Sequence, residues 1–322
     1  MTTRVLVTGA TGFVGSALCG MLGDSRYTVR AALRSDRPVP VAVAEKVVVG
    51  EIGAATDWTE ALRGIDRVVH LAARAHVLGD AAANSARYFT TNVDGTAGLA
   101  EAAASAGVRR FVYVSSVKVN GEGGSGAAYT SSDTPHPKDA YGESKWQAEQ
   151  RLAAIAAASS METVIVRPPL VYGPGVRANF LRLMSWVDRQ WPIPLGAVRN
   201  ERSLVSVWNL CDLLLRVLEH ADAAGNTWMV SDGRDLSTPE LIRQIGIAMN
   251  KRARLVPVPV ALLRAGAALS GRGAEVARLC GSLTVDIGPT MRALQWSPPM
   301  SLEQGLGLTA RWYLGREGAR DG

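Results

Sequence analysis

RVLVTGATGFVGSALCGMLGD, residues 4–24, is the stretch on which the fold turns. Val5, Leu6 and Val7 make a short apolar run, the signature of a strand buried on both faces. Gly9, Gly12 and Gly15 follow at three-residue spacing, and a helical stretch begins at once. A tight strand-to-helix turn needs small residues, and that alone would explain the glycines. Placed between a first strand and a first helix, they also let backbone N–H groups approach a pyrophosphate at the helix N-terminus. The turn therefore predicts a bound dinucleotide.

Outward from this turn the same alternation repeats. YTVRAAL, EKVVVGEI, DRVVHLAA, RRFVYVSS and ETVIVRPP read as strands. SALCGMLGD, TDWTEALRG and the stretches from about 92 to 106 and 141 to 158 read as helices. Alternating buried strands and helices predict an α/β fold, a doubly wound parallel Rossmann sheet. Beyond about residue 168 the texture turns to Pro and Gly (RPPLVYGPG, WPIPLG). The reading is a dinucleotide-binding domain over 1–168 and a smaller C-terminal α/β substrate lobe, mainly 169–322. ERSLVSVWNL and NTWMVSDG still look like strands and are candidates to rejoin the main sheet.

Composition removes several classes. The net charge of +6 comes from dispersed arginines with only five lysines, which argues against nucleic acid and suits an anionic small substrate. Cys19, Cys211 and Cys280 form no CxxC pair, and His70, His76, His136 and His220 have no metal-ligand spacing, so no metal is expected. The most apolar stretch, PVPVALLRAGAALSGRG, is interrupted by Arg264 and Arg272, so no membrane span is expected. With no signal peptide at MTTRVLVTG, the expected location is the cytoplasm.

The end of the second strand bears on the cofactor. An Asp or Glu there holds a ribose 2′-hydroxyl. Here Leu33 stands in that place with Arg34 beside it, which suits a 2′-phosphate and favours NADP(H) over NAD(H). Asp36 becomes the acid instead if the strand ends two or three residues later.

DAYGESKWQAEQ (139–150) sets Tyr141 four residues before Lys145, one turn apart on one helix face. An adjacent ammonium stabilises a phenolate, which makes such a pair a plausible proton-transfer device. Alone, YxxxK is a spacing that chance supplies. Ser116, 25 residues upstream at the end of a strand, gives it a partner, with Ser115 the second choice.

In order along the chain stand TGATGFVG, HLAA (70–73), Asn92 in TTNVDGT, YVSS (113–116), YGESK (141–145) and RPPLVYGPG (167–175). This set resembles the extended short-chain dehydrogenase/reductases, the NAD(P)-dependent sugar-nucleotide epimerases, dehydratases and reductases. The resemblance covers nearly the whole chain. It implies a catalytic group of Ser116, Tyr141 and Lys145. It implies cofactor contacts at Gly9, Thr11, Gly12, Phe13, Val14, Gly15, Arg34, Glu51, Ile52, Leu71, Ala72, Ala73, Asn92, Val114 and Pro168, besides Tyr141 and Lys145. It places a UDP-sugar against Ser116, Val117, Asn179 and Arg202, and implies a homodimer through the helices near 92–106 and 141–158.

The 4,6-dehydratases of the family carry an acidic pair where this chain has Val117 and Lys118, so dehydration is disfavoured. Two readings remain. One is NAD(P)H-dependent 4-keto reduction of a UDP-4-keto-6-deoxy-N-acetylhexosamine, since SSVKVNGE, RPPLVYGPGVRANF and VSDGRDLST are similar to the UDP-N-acetylquinovosamine 4-reductase group of O-antigen synthesis. The other is UDP-sugar 4-epimerisation with tightly bound NAD. Arg34 favours the first. A catalytically inactive NADP(H)-sensing regulator is a remote third.

Overall fold

The computed structural model describes residues 2–24, 26–75, 81–123, 127–269, 271 and 273–318. His76 and Arg272 lie outside them. Nine strands are named in chain order. They are β1 (Thr3–Thr8), β2 (Tyr27–Leu33), β3 (Glu45–Val48), β4 (Arg67–His70), β5 (Arg110–Val114), β6 (Glu162–Arg167), β7 (Leu170–Tyr172), β8 (Leu204–Ser206) and β9 (Thr227–Met229). Seven of them form one parallel sheet in the order β3-β2-β1-β4-β5-β6-β9. The chain winds one way from β1 and the other way from β4, which puts the topological switch point at their carboxyl ends. The doubly wound Rossmann arrangement is therefore the observed one.

Alternation along the strands builds a core on each face. Val5 and Val7 of β1, with Val29, Val112, Val164 and Val166, pack against Leu18 and Leu22 of the helix Phe13–Gly23 and Leu210 and Leu214 of the helix Val207–Glu219. Leu6 points to the opposite face, into a cluster with Val68, Phe111, Leu99, Ala103, Ala148 and Leu152. The last four come from the helices Gly95–Ser105 and Ala140–Ala157. Their alanines let both helices lie close to the sheet.

The chain does not divide at one point. β9 returns to the main sheet beside β6, while β7 and β8 pair with each other in a separate two-stranded parallel sheet. VWNL, which reads as strand, instead opens the helix Val207–Glu219, capped by the Ser206 hydroxyl accepting Asn209 N–H. A second core, around Tyr172, Phe180, Met184, Ile242, Ile245 and Leu306, belongs to the lobe, and Phe13 packs against both cores.

One buried ion pair fixes the helix Ala140–Ala157 to the sheet. Arg167 and Glu149 are 3% and 2% exposed, which removes water from both charges. The guanidinium donates Nε–H to Oε1 at 3.0 Å and Nη2–H to Oε2 at 2.5 Å. Its Nη1–H goes to Asn120 Oδ1 at 3.0 Å, and Asn120 Nδ2 donates onward to Thr130 O at 2.9 Å. Because the survivor of a broken buried pair is left uncompensated, Glu149→Ala should cost about 3–5 kcal/mol. Thermal melts should show its midpoint falling well below the parent's. A Glu149→Met/Arg167→Met double variant should recover most of the loss, since it buries no lone charge. A single variant that melts with the parent would show the pair to be dispensable.

Candidate active site

The glycine turn is built as a cradle. Gly9 has φ +69°, and a Cβ there would lie 2.9 Å from Ala72 N. A Cβ on Gly15 would lie 2.1 Å from Gly9 O, so a side chain is barred at both positions. The helix Phe13–Gly23 has neither a side-chain cap nor an acid in its first turn, so its leading N–H groups are available to an anion. Thr8 Oγ1 accepts Ala72 N–H at 3.1 Å, holding the Leu71–Ala73 segment beside the turn. Backbone that only glycine permits, next to uncapped amides, fits a dinucleotide pyrophosphate. Thr11, Phe13 and Val14 lie in the same turn and first helical residues.

β2 ends at Leu33, as the sequence reading takes it, and Asp36 is paired with Lys46 at 2.5 Å. Arg34 does not stand alone, however. Its Nη1 is 3.4 Å from Glu51 Oε1, both side chains well exposed. A neighbouring carboxylate matches the charge on which the NADP(H) preference rests, and it would oppose an added phosphate. Ile52, the next residue, sits against Gly95 at the start of its helix.

Ser116, Tyr141 and Lys145 come together beyond the ends of β5 and β6. Ser116 caps the short 3-10 turn Val117–Val119, its hydroxyl accepting Lys118 N–H at 3.2 Å. Tyr141 and Lys145 share one face of the helix Ala140–Ala157. That helix starts where it does because Asp139 Oδ1 accepts Gly142 N–H at 2.7 Å. Burial pushes the Tyr141 phenol up to about 12, against a lowering hydrogen bond from Ser116; Asp139 and Tyr88 push it further up. The Tyr88 ring meets Tyr141 edge-on at 6.0 Å.

Lys145 is 2% exposed and donates to Val114 O at 2.7 Å, with its ammonium 4.2 Å from the centre of the Tyr113 ring. Burial pulls it down to about 7, with the Glu149 carboxylate one turn on opposing that fall. The expected lowering of the Tyr141 phenol by Lys145 is outweighed by burial. Desolvation dominates, and each group is driven toward its neutral form.

Behind the lysine lies a polar seam that sequence reading passes over. His70 Nδ1 meets Thr8 Oγ1 at 2.7 Å and its Nε2 meets Thr96 Oγ1 at 2.9 Å. Burial, then the charge of Lys145, brings His70 down to about 3, so it stays neutral. Asn92, expected at the cofactor, has its side-chain amide occupied. Oδ1 accepts Arg74 N–H at 2.9 Å, and Nδ2 donates to Arg74 O at 3.1 Å and Ser144 Oγ at 2.9 Å. It ties the segment after β4 to the residue preceding Lys145, which is a positioning arrangement. Ser115 is buried, with no hydrogen-bond partner for its hydroxyl among the described residues.

The residues expected at the substrate are less uniform. Val117 is 3% exposed and packs with Met229, Leu283, Val285 and Ile287, so its side chain serves a core cluster rather than a ligand. Asn179 Oδ1 accepts from Arg182 Nη2 at 2.6 Å. Arg202 Nη1 donates to Arg278 O at 2.6 Å and Gly281 O at 2.9 Å, and it feels the charge of Glu122 in the loop that follows Ser116. Pro168 O accepts Val117 N–H at 3.0 Å. Lys118, absent from the expected site, bridges Asp139 and Glu122. An Asp opening a helix is the local signal that could have found the Asp139 cap; the Lys118–Asp139 bridge has no such signal, its partners lying 21 residues apart.

Comparison with known proteins agrees with this geometry. The profile of the NAD dependent epimerase/dehydratase family matches residues 5–231. A UDP-glucose 4-epimerase of Vibrio cholerae is 43% identical over 318 residues, 98% of this chain and 96% of that protein. A 3-beta-hydroxysteroid dehydrogenase of Mycolicibacterium neoaurum is 30% identical over 259 residues, 77% of this chain and 71% of that protein. Among solved structures, MoeE5 in complex with UDP-glucuronic acid and NAD superposes with a TM-score of 0.79 at 27% identity, covering 98% of this chain and 99% of that one.

Two measurements follow from the site. A methyl group on Gly15 must displace backbone, and overpacking of this kind costs about 1–3 kcal/mol. Gly15→Ala should therefore weaken dinucleotide binding roughly tenfold or more in a fluorescence titration with NADH; unchanged affinity would remove the turn from the binding site. Lys145 gives the second. Its folded value of about 7 lies below the unfolded value near 10.4, so between those pH values the unfolded chain holds the extra proton. Stability contributed at this site therefore rises with pH across that window. Lys145→Met should melt above the ligand-free parent at pH 7, and the gap should close as pH approaches 10. A gap that widens with pH would contradict the burial argument.

Proposed function

Because the chain belongs to the NAD dependent epimerase/dehydratase family, we propose that it inverts carbon 4 of a UDP-sugar using a bound NAD. The observation that carries this reading is the gathering of Ser116, Tyr141 and Lys145 beyond the strand ends, on the side of the sheet where the glycine cradle lies. Its support from relatives is the 43% identity to a UDP-glucose 4-epimerase along almost the whole length. When bound, the nicotinamide supplies the hydride acceptor and returns the hydride.

The chain's own residues then handle position and proton. Ser116 holds the oxygen on the reacting carbon and shares its hydrogen bond with Tyr141. With its value near 12, Tyr141 keeps its proton at neutral pH and is ready to donate it to a keto oxygen. Taking a proton from a hydroxyl requires a charge nearby to favour the phenolate, which Lys145 provides in its protonated form. His70 cannot compete for that proton, being neutral and committed to Thr8 and Thr96. Arg202 and Asn179 are proposed to meet the UDP portion from the lobe.

A second reading, 4-keto reduction of a UDP-4-keto-6-deoxy-N-acetylhexosamine, is favoured by one observation: β2 ends without an acid and with Arg34 at its tip. The Glu51 partner weakens that observation, which is why epimerisation with NAD stands first. In either case two copies are proposed to pair through the exposed small-residue sides of the helices Gly95–Ser105 and Ala140–Ala157.

The deciding experiment supplies UDP-glucose, UDP-galactose and their N-acetyl counterparts to protein with no added cofactor. Interconversion is expected, with NAD released on denaturation and a light-scattering mass of twice the chain. Tyr141→Phe should lower turnover roughly a hundredfold or more while leaving the released NAD unchanged. No interconversion, together with stoichiometric NADPH oxidation against the 4-keto-6-deoxy sugar nucleotide, would replace the first reading with the second. NAD release without turnover of any sugar nucleotide would overturn both.

A further inference from the structure

The substrate lobe carries a surface that the proposed reaction does not use. Residues 241–269 contain Arg243, Lys251, Arg252, Arg254 and Arg264 and no acidic residue. Acids beside it are already engaged: Asp188 pairs with Lys251 at 2.5 Å, Glu240 with Arg234 at 2.8 Å and Glu275 with Arg182 at 3.1 Å. Among the described residues, Arg252, Arg254 and Arg264 have no carboxylate within ion-pair distance. Set among these cations are large apolar side chains open to water. Leu262 is 63% exposed, Leu269 93%, Trp191 50% and Val256 40%.

These groups belong to adjoining pieces of backbone. Ile193 N–H donates to Arg254 O at 2.8 Å, Val256 N–H to Ile193 O at 2.9 Å, and Gly196 N–H to Val256 O at 2.9 Å. The run carrying Trp191 is thereby laced to the run carrying Arg254 and Val256. Leu262 N–H bonds to Pro259 O at 3.0 Å as the chain enters the helix Val260–Leu269. Val260 and Leu263 of that helix pack against the lobe core, which leaves Leu262 and Leu269 outside it. The Arg189 guanidinium lies 5.3 Å from the centre of the Trp191 ring, at the edge of the same surface.

We propose that this face docks on an anionic phospholipid surface, with the helix Val260–Leu269 lying in the headgroup layer. A helix with Leu262 and Leu269 outward and Arg264 beside them, preceded by Arg252 and Arg254, has the pattern of an interfacial element. No helix among the described residues is long and apolar enough to cross a membrane, so the chain would lie on the bilayer. Charge complementarity selects the occupant. A second copy would bring one unrelieved basic frame against another, whereas an anionic leaflet satisfies the arginines and accepts the leucines and Trp191 together. The proposal is independent of which sugar nucleotide the active site takes.

Vesicle flotation with the full chain at physiological ionic strength tests it. Vesicles of phosphatidylcholine with phosphatidylglycerol should carry the protein, and phosphatidylcholine alone should not. Arg252→Glu/Arg254→Glu and, separately, Leu262→Ser/Leu269→Ser should each weaken binding about tenfold or more. The charge-matched Arg37→Glu/Arg109→Glu variant, on the Rossmann domain, should stay within about twofold of the parent. Tryptophan emission should shift to the blue on the anionic vesicles, and less so in Trp191→Phe. Failure to float with anionic vesicles would overturn the proposal. So would equal losses in the Arg37/Arg109 variant, or self-association that depends on Leu262 and Leu269.

Discussion

The pairing of Arg167 with Glu149 is the constraint on which the site depends. Arg167 closes β6 and Glu149 lies on the helix that carries Tyr141 and Lys145, so two hydrogen bonds set the distance between the sheet and that helix. Through Asn120 the same guanidinium also holds the loop that leaves Ser116. A buried ion pair is a poor source of net stability, because desolvating both charges offsets their attraction. What it provides here is direction: a bidentate fork has one satisfactory geometry, and the three side chains proposed for catalysis inherit it. Glu149 has a second effect, since its carboxylate is the one nearby charge that keeps Lys145 from falling further.

Desolvation sets the electrostatic balance behind the site. Dry surroundings hold Tyr141 protonated and bring Lys145 close to half charge at neutral pH, while His70 is fixed as a neutral hydrogen-bonding strut. A phenol and an amine that both favour their uncharged forms do little proton chemistry by themselves.

The fold was legible because its signals are local. The strand–glycine–helix run at 4–24 and the β-branched segments after it each depend on residues within a dozen positions. The Tyr141–Lys145 spacing is local in the same way, whereas Ser116, 25 residues upstream, was read from its place at a strand end and from the ordered set of motifs. What escaped reading was long-range pairing. Arg34 reads as a phosphate ligand with no sign that Glu51, 17 positions on, stands beside it, and Asn92 reads as a cofactor contact with no sign that its amide also bonds Arg74 and Ser144. Val117 reads as a substrate neighbour because it follows Ser116, but Met229 and Leu283, more than 100 residues later in sequence, bury it. VWNL has the apolar character of a strand, and only the Ser206 cap turns it into a helix.

The return of β9 to the far edge of the main sheet has a wider consequence. The chain leaves the sheet after β6, lays down β7, the helix Ala178–Asp188 and β8, and only then supplies the strand that covers β6. Cofactor half and lobe are therefore interlaced rather than strung in series. As the chain emerges from the ribosome, β6 waits as a naked edge for some sixty residues of synthesis, a template for the wrong neighbour until its own arrives. Nor can one lobe be exchanged for another as a cassette at a single joint. A new specificity in this architecture has to be grown in place, by altering loops between strands that the sheet already owns.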